Sequence, residues 1–213
     1  MEVKDEFLDQ RDRMVIELMK QGYLKTDNVI KVFKEIPRHL FVGEHNRKFA
    51  YMDRPLPIQG GQTISAPHMV AMMTEVLGAK KTDKILEVGA GSGYQAAILS
   101  KLAKKVYTTE INSDLVVFAR NNLKMAGTDN VDVMEFDGSR GYPKRAPYDK
   151  IIVTCASPEI YGSWVNQVKR DGIILAPVGD ASIGYQELIR AVKTKEGLKK
   201  ENFGGCAFVP LRR

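Results

Sequence analysis

The chain of 213 residues contains little cysteine: only Cys155 and Cys206, which lie 51 positions apart. Neither belongs to a C-x-x-C pair, and neither has a histidine nearby. Two isolated thiols exclude the disulfide framework of a small secreted protein, and they lack the ligand spacing of a zinc site. Because both lie in apolar runs, we expect two buried, reduced thiols and no metal site.

Long apolar runs are also missing. The chain has no stretch of about 18 consecutive apolar residues, which a membrane-spanning helix needs. Residues 1–13 alternate in charge and lack the apolar segment of about 7 to 15 residues that defines a signal peptide. We therefore expect a soluble, cytoplasmic protein that does not bind membranes.

The net charge of +6 is unevenly distributed. Residues 190–213 hold seven basic and two acidic residues, whereas residues 1–189 hold 25 basic and 24 acidic ones. A protein that binds a phosphate backbone across its body needs cations spread over the main domain, so this distribution argues against general nucleic-acid binding. With 44% hydrophobic residues, the composition also excludes a disordered chain.

The first 66 residues are predicted to be mainly helical. Apolar residues recur at helical spacing from Phe7 to Met19, and a second, shorter helix is expected from Asp27, its N-cap, to the residue before Pro37. The proline- and glycine-rich segment between Pro37 and Pro67 is predicted to be a long loop. Loops of this length inside a compact domain are usually functional.

After Pro67 the pattern predicts alternating strands and helices. Helices are expected at about His68–Leu77, Tyr94–Leu102, Ser113–Met125 and Pro158–Val168. Strands are expected at Lys84–Val88, Lys105–Glu110, Val131–Phe136, Lys150–Cys155 and Gly172–Val178, followed by Leu188–Lys193 and Gly205–Val209.

The first four strands are short and apolar on both faces, which is typical of a parallel sheet covered on each side by helices. The fold class is therefore a doubly wound, mostly parallel α/β sheet, with an N-terminal helical extension and an antiparallel strand pair at the C-terminal end. We expect a single domain over residues 1–213. Within it, residues 1–66 form the extension and substrate loop, 67–179 the cofactor-binding core, and 180–213 the last strands.

Residues 87–94 read E-V-G-A-G-S-G-Y, where the first of these strands turns into its helix. Glycine at Gly89, Gly91 and Gly93 permits a tight turn and close approach of a ligand to the backbone amides at the helix N-terminus. A dinucleotide fingerprint would need a glycine in place of Tyr94, so the turn does not favour NAD. By itself the turn is weak evidence, and a purely structural turn between strand and helix is the less favoured alternative.

Two carboxylates end the next two predicted strands. Glu110 follows Gly89 by 21 residues, the position from which an acidic side chain accepts hydrogen bonds from ribose hydroxyls. Asp137, followed by Gly138, ends the next strand and could accept a hydrogen bond from an adenine amino group. Each carboxylate has a structural alternative, a strand-end acid or an Asx turn. Together with the glycine turn they favour an adenosine pocket.

Residues 84–178 resemble the class I S-adenosylmethionine-dependent methyltransferases, and the flanking segments resemble the protein-L-isoaspartate (D-aspartate) O-methyltransferase family. The motifs that carry the resemblance cover most of the chain, and two are specific to the isoaspartyl enzymes: Q-T-I-S-A-P-H-M at 62–69 and P-Y-D-K-I-I-V-T at 147–154. The chain departs from the family pattern at Gly43, usually proline, at Gln59, often glycine, and at Cys155, commonly alanine.

The resemblance implies an enzyme that methylates the free α-carboxyl of L-isoaspartyl residues in damaged proteins and peptides, after which the ester closes to a succinimide. S-adenosyl-L-methionine is the implied cofactor and S-adenosyl-L-homocysteine the product. Ser65 matches the family's active-site serine, and we interpret it as a hydrogen-bond donor to the carboxylate. The implied substrate-binding residues are Thr63, Ile64 and Ser65. The implied cofactor-binding residues are Ile64, Ser65, His68, Glu87, Gly89, Gly91, Gly93, Glu110, Asp137 and Gly138.

Ser65 also has a structural interpretation, because a serine two residues before Pro67 is a typical helix N-cap. Two rival functions stay open at this point. The first is a nucleic-acid methyltransferase that uses the basic C-terminal tail, although no [D/N]-P-P-[Y/F/W] motif follows the fourth strand. The second is a catalytically silent partner-binding module. We expect a monomer that acts on isoaspartyl proteins and peptides and does not bind nucleic acid.

Overall fold

The computed structural model describes residues 6–213, and its secondary structure divides into a helical N-terminal part and a central sheet. Two predictions fall partly on residues 1–5, namely that residues 1–13 contain no signal peptide and that the domain begins at residue 1. To that extent they lie outside the described residues. The α-helices are α1 (Leu8–Lys20), α2 (Asp27–Glu35), α3 (Pro67–Leu77), α4 (Tyr94–Ser100), α5 (Ser113–Met125) and α6 (Gly162–Gln167).

A small antiparallel hairpin precedes the main sheet. It consists of β1 (Leu56–Pro57) and β2 (Thr63–Ile64). The main sheet has seven strands: β3 (Lys84–Val88), β4 (Lys105–Glu110), β5 (Val131–Glu135), β6 (Tyr148–Val153), β7 (Val168–Val178), β8 (Gln186–Lys193) and β9 (Leu198–Cys206).

The main sheet has the strand order β5-β4-β3-β6-β7-β8-β9. Strands β3 to β7 pair in parallel, and β8 and β9 pair antiparallel, as the sequence predicted. The strand order reverses at β3, which lies between β4 and β6. In open α/β sheets ligands bind at such a switch point, beyond the carboxyl ends of the strands.

Two apolar clusters cover the two faces of the sheet, because neighbouring strand residues point to opposite sides. On β6, Ile152 belongs to the larger cluster, which includes Phe33 of α2 and Met73 of α3. Its neighbour Ile151 belongs to the other cluster, which packs around the fully buried Trp164. The N-terminal helices therefore cover one face of the sheet and position the segment between α2 and α3.

Several predicted boundaries are confirmed and others shift. The bounds of β3, β4 and α5 match the prediction, whereas β5 ends one residue early, α4 ends at Ser100 and β9 begins at Leu198. The prediction of a helix from Pro158 was wrong: α6 begins only at Gly162. The Ala156 amide bonds to the Val209 carbonyl at 2.8 Å, and the Ser157 amide bonds to the Pro177 carbonyl at 3.0 Å. The Ser157 carbonyl, which would accept the first hydrogen bond of a helix from Pro158, accepts instead from the Gly179 amide at 2.9 Å.

The segment between Pro37 and Pro67 is more ordered than a plain loop. It contains three short 3₁₀ turns and the β1–β2 hairpin. The N-cap of α2 is Thr26, and Asp27 is the first residue of the helix, so the prediction of Asp27 as the N-cap was wrong by one residue.

Cys155 and Cys206 are free and buried, as expected. No helix within residues 6–213 is long and apolar enough to cross a membrane.

Candidate functional site

A cavity lies at the carboxyl ends of β3, β4 and β6. Its lining includes the glycine turn, the end of β4, the turns after β5 and β6, the segment before α3, and residues 209–212 near the C-terminus. Of the residues predicted as a site, those that line the cavity are Thr63, Ile64, Ser65, Glu87, Gly89, Gly91, Glu110 and Gly138. The structure therefore brings together the predicted cofactor turn and the predicted substrate segment.

Gly89 shows why the turn after β3 needs glycine. Its φ is +96°, a left-handed conformation that other residues avoid. A Cβ atom there would lie 2.8 Å from the Thr154 hydroxyl, which itself donates to the Gly89 carbonyl at 2.5 Å. Glycine therefore lets the turn pack closely against the residues that follow β6.

Gly93 does not line the cavity among the described residues. It occupies the N-cap of α4 with a φ of +86°, and an added Cβ would lie 3.3 Å from the Ala119 carbonyl on α5. The third glycine of the turn therefore permits close packing of α4 against α5. Its contact with the cofactor stays a prediction.

Glu110 is fixed by three backbone amides. Its Oε2 accepts a hydrogen bond from the Gly91 amide at 2.9 Å, and its Oε1 accepts from the amides of Ile111 at 2.9 Å and Asn112 at 3.1 Å. The carboxylate thus joins the end of β4 to the glycine turn. It stands in the cavity wall, where the sequence predicts a ribose acceptor.

Glu87 is the buried carboxyl group of the cavity. The residue is fully buried, and burial raises its pKa to about 8, with the charge of Glu110 adding to the shift and the Thr108 hydroxyl opposing it. Neither Glu87 oxygen has a partner with good hydrogen-bond geometry among the described residues. A buried acid without a partner is costly unless a ligand donates to it.

The Ser65 side of the cavity is built by the β1–β2 hairpin. Leu56 pairs with Ile64, which places Ser65 directly after β2 and before α3. The helix N-cap is Ala66, so the alternative interpretation of Ser65 as the N-cap is wrong. The first turn of α3 takes a carboxylate instead: Asp53 Oδ1 accepts from the His68 amide at 2.9 Å. The capping acceptor comes from the preceding loop.

His68 does not line the cavity among the described residues. Its Nδ1 lies 2.9 Å from Asp53 Oδ1, and its ring packs against the ring of Tyr23 at a centroid distance of 5.2 Å. These contacts hold the imidazole against Asp53 and Tyr23. The expected place of His68 beside the amino-acid end of the cofactor stays a prediction.

Asp137 is also absent from the described cavity lining, although Phe136 and Gly138 on either side of it line the cavity. Its Oδ1 accepts from the Ser139 amide at 2.9 Å, which is the Asx turn considered as an alternative. A Cβ at Gly138 would lie 2.5 Å from Val88 Cγ1, so glycine lets this turn approach β3 closely. Adenine recognition by Asp137 stays a prediction.

Sequence reasoning missed several residues that line the cavity. They include Gln62, Tyr94, Asn112, Thr154, Cys155 and the segment Val209–Arg212. Gln62 and Thr154 lie inside the quoted motifs and were within reach of the resemblance. Residues 208–211 also belong to the stretches that carry the resemblance, and tertiary contacts such as the bridge between Ala156 and Pro210 bring them to the site.

The residues fit an adenosylated amino-acid cofactor. Gly89 and Gly138 line the cavity without side chains, Glu110 presents a fixed acceptor, and Glu87 is an unpaired buried acid that suits a cationic group. The described residues contain no cluster of three or more His, Cys, Asp or Glu side chains able to hold a metal ion.

The sequence matches the family model described as Protein-L-isoaspartate(D-aspartate) O-methyltransferase over residues 9–213. Two relatives carry the name protein-L-isoaspartate O-methyltransferase. The protein from Methanopyrus kandleri is 48% identical over 96% of this chain and 92% of its own length. The protein from Pyrococcus horikoshii is 45% identical over 96% of this chain and 94% of its own length.

Two solved structures share the fold. One is described as a protein-L-isoaspartate O-methyltransferase from Plasmodium falciparum in complex with S-adenosyl-L-homocysteine; it has a TM-score of 0.82 and 24% identity, and covers 95% of this chain and 98% of that chain. The other is named protein-L-isoaspartate O-methyltransferase, with a TM-score of 0.86 and 27% identity over 95% of this chain and 66% of that chain.

Proposed function

The chain belongs to the protein-L-isoaspartate(D-aspartate) O-methyltransferase family, and we propose that it transfers a methyl group from S-adenosylmethionine to the free α-carboxylate of L-isoaspartyl residues in proteins and peptides. One observation carries the proposal. Thr63, Ile64 and Ser65 line the same cavity as Glu87 and Glu110, so the substrate segment and the cofactor residues share one site.

The cofactor side of the site recognises charge and hydroxyl groups. S-adenosylmethionine supplies, when bound, an electrophilic methyl group on a sulfonium, and its product is S-adenosylhomocysteine. Glu110 accepts from the ribose hydroxyls, since its carboxylate is held in the wall by backbone amides. Glu87 lies in the same cavity and accepts from the α-ammonium group, which favours its ionised form.

The substrate side needs no general base. The α-carboxyl of an isoaspartyl residue has a reference pKa of about 3.3 to 3.7 and is ionised at neutral pH. The chain therefore has only to orient an existing nucleophile and exclude water, which is worth on the order of 7 to 11 kcal/mol in well-oriented systems. We assign Ser65 as the hydroxyl that donates to the carboxylate and holds it in line with the methyl group.

The site does not require a nucleic-acid substrate. The basic residues Lys199 and Lys200 are exposed on β9, outside the described lining of the cavity, and the comparisons do not support the nucleic-acid alternative. We further propose that the protein acts as a monomer in the cytoplasm, independently of membranes and nucleic acid. Two free, buried cysteines are consistent with a reducing compartment. We also propose that the single domain consists of the extension and substrate loop (1–66), the cofactor-binding core (67–179) and the last strands (180–213).

A direct test is methyl transfer from labelled S-adenosylmethionine to two peptides that differ only in carrying aspartate or L-isoaspartate at one position. We expect label in the isoaspartyl peptide alone, in a base-labile ester. The control is the same pair of peptides with Glu110→Ala protein. Equal labelling of both peptides would contradict the proposed specificity, and labelling of neither would contradict the proposed reaction.

A further inference from the structure

Arg38 has an unusual environment for an arginine. It lies in the 3₁₀ turn after α2 and is completely buried. Its Nε donates to the Ala50 carbonyl at 2.7 Å, and its Nη2 donates to the Ser65 carbonyl at 2.7 Å. One planar guanidinium therefore bonds to the middle and to the end of the segment that joins α2 to α3.

The same guanidinium also contacts the cofactor side of the cavity. Its Cζ lies 4.9 Å from the centroid of the Tyr94 ring. Tyr94 is the first residue of α4, directly after the glycine turn, and it lines the cavity with Ser65. Arg38 thus bridges the two sides of the site from behind the cavity wall.

Burial of a guanidinium is expensive, and here it is incompletely satisfied. Among the described residues, Arg38 Nη1 and the Tyr94 hydroxyl have no partner with good hydrogen-bond geometry, although the two side chains attract each other electrostatically. An apolar side chain of similar size avoids the desolvation penalty and often stabilises a fold better. Burial lowers the pKa of Arg38 to about 10, which still leaves it charged at neutral pH. Stability alone therefore does not explain this residue.

We propose that Arg38 is a positioning residue for methyl transfer: it holds the backbone of Ser65 in register with Tyr94 and the glycine turn. The inference rests on the proposed function, in which Ser65 orients the substrate carboxylate. A guanidinium suits this task because its N–H groups lie in one rigid plane. The Ala50 and Ser65 carbonyls can accept from two of these groups at once only if the distance between the carbonyls stays fixed. Small errors in such positioning lower rates steeply.

The test compares Arg38→Met and Arg38→Lys with Lys150→Met as a matched control. Lys150 is also a buried cation bonded to two backbone carbonyls, those of Leu77 at 2.7 Å and of Gly78. It sits at the opposite end of α3 and does not line the described cavity. Its removal costs stability without touching the Ser65 segment.

We expect Arg38→Met to lower kcat/KM for an isoaspartyl peptide at least tenfold, while the Kd for S-adenosylhomocysteine changes less than threefold. Arg38→Lys should fall between Arg38→Met and the unmodified protein, since one ammonium group cannot donate to both carbonyls in the same geometry. Lys150→Met should lower the thermal midpoint and leave kcat/KM within twofold. Equal losses of kcat/KM in Arg38→Met and Lys150→Met would overturn the proposal.

A second measurement does not depend on the reaction. Hydrogen exchange over residues 56–66 should accelerate in Arg38→Met and stay unchanged in Lys150→Met. Unchanged exchange in both variants would overturn the positioning role even if the unmodified protein methylates no peptide, an outcome that would separately contradict the proposed function. Failure of both Arg38 variants to fold would assign the residue to stability and would also overturn the proposal.

Discussion

The Oε2 atom of Glu110 lies 2.9 Å from the backbone nitrogen of Gly91 and accepts its hydrogen bond. This contact fixes the end of β4 to the middle of the glycine turn, so a single carboxylate shapes the turn and faces the cavity. Replacing Glu110 would both release the glycine turn and remove a carboxylate from the cavity wall. Both changes are expected to weaken cofactor binding, so cofactor affinity is the property to measure.

Glu110→Ala should weaken binding of S-adenosylhomocysteine about ten- to hundredfold, because a hydrogen bond to a charged group contributes about 1.5 to 3 kcal/mol. Isothermal titration measures the Kd. The matched control is Glu135→Ala: Glu135 pairs with Glu110 in register at the end of β5 but does not line the described cavity. An unchanged Kd for Glu110→Ala, or an equal loss for Glu135→Ala, would contradict the assignment.

The raised pKa of Glu87 predicts that the stability of the protein depends on pH. Its pKa in the folded protein is about 8, above the value of about 4.3 expected in the unfolded chain. Between these values the folded state binds the extra proton, so stability falls as pH rises from about 4.3 to 8. Glu87→Gln removes this titration while preserving the shape of the side chain.

The thermal midpoint of Glu87→Gln should therefore exceed that of the unmodified protein by several degrees at pH 8, and the gain should shrink toward zero near pH 4.5. Thermal unfolding without ligand at pH 5, 6.5 and 8 measures the trend, with exposed Glu135→Gln as the control for a general loss of charge. A gain that is the same at all three pH values would show that Glu87 does not titrate as described.

Among the basic residues near the C-terminus, we expect Arg212 to contribute to substrate binding and Lys199 and Lys200 not to. Within the described residues, Arg212 is the only basic side chain that lines the cavity, whereas Lys199 and Lys200 lie on β9. The substrate is anionic, and an exposed ion pair contributes about 0.2 to 1 kcal/mol. Arg212→Ala should thus raise the KM for isoaspartyl peptide about two- to fivefold.

The paired control is the double variant Lys199→Ala, Lys200→Ala, which should leave the KM unchanged at the same ionic strength. Added salt should reduce the difference between Arg212→Ala and the unmodified protein, because screening weakens exposed charges. A larger effect from the lysine pair than from Arg212 would place the peptide on the β9 face instead.

The elements with local signals were predictable. Helix α5 begins where Asn112 Oδ1 accepts from the amides of Asp114 and Leu115, and it ends before Gly127, both of which are readable from the sequence. The glycine turn and Glu110 follow from strand-to-helix geometry. Local capping chemistry and parallel-strand patterning thus account for the sheet and for the cofactor wall.

The remaining features depend on contacts between distant segments. The cap of α3 comes from Asp53, fifteen positions before His68, and nothing in the local sequence marks it. Arginine in a turn is usually exposed, yet the fold buries Arg38 against Tyr94. Such partners are set by tertiary packing, so neither the contacts of His68 nor the burial of Arg38 could be predicted from spacing.

Ser65→Ala should lower turnover on isoaspartyl peptide about ten- to hundredfold and leave the Kd for S-adenosylhomocysteine nearly unchanged. The reason is the loss of one hydrogen bond to a charged group, worth about 1.5 to 3 kcal/mol. The thermal midpoint should hardly move, since the N-cap of α3 is Ala66 and the capping carboxylate belongs to Asp53. Turnover, Kd and midpoint are measured on one preparation.

Asp53→Ala provides the opposite control for Ser65. It removes the acceptor at the His68 amide and should cost on the order of 1 kcal/mol of stability, visible as a lower thermal midpoint. The two variants therefore separate a hydroxyl that acts on substrate from a carboxylate that caps a helix, although both lie beside the same first turn. If Ser65→Ala instead lowers the midpoint and keeps full turnover per folded molecule, Ser65 is structural and the carboxylate must be oriented by another donor of the cavity wall.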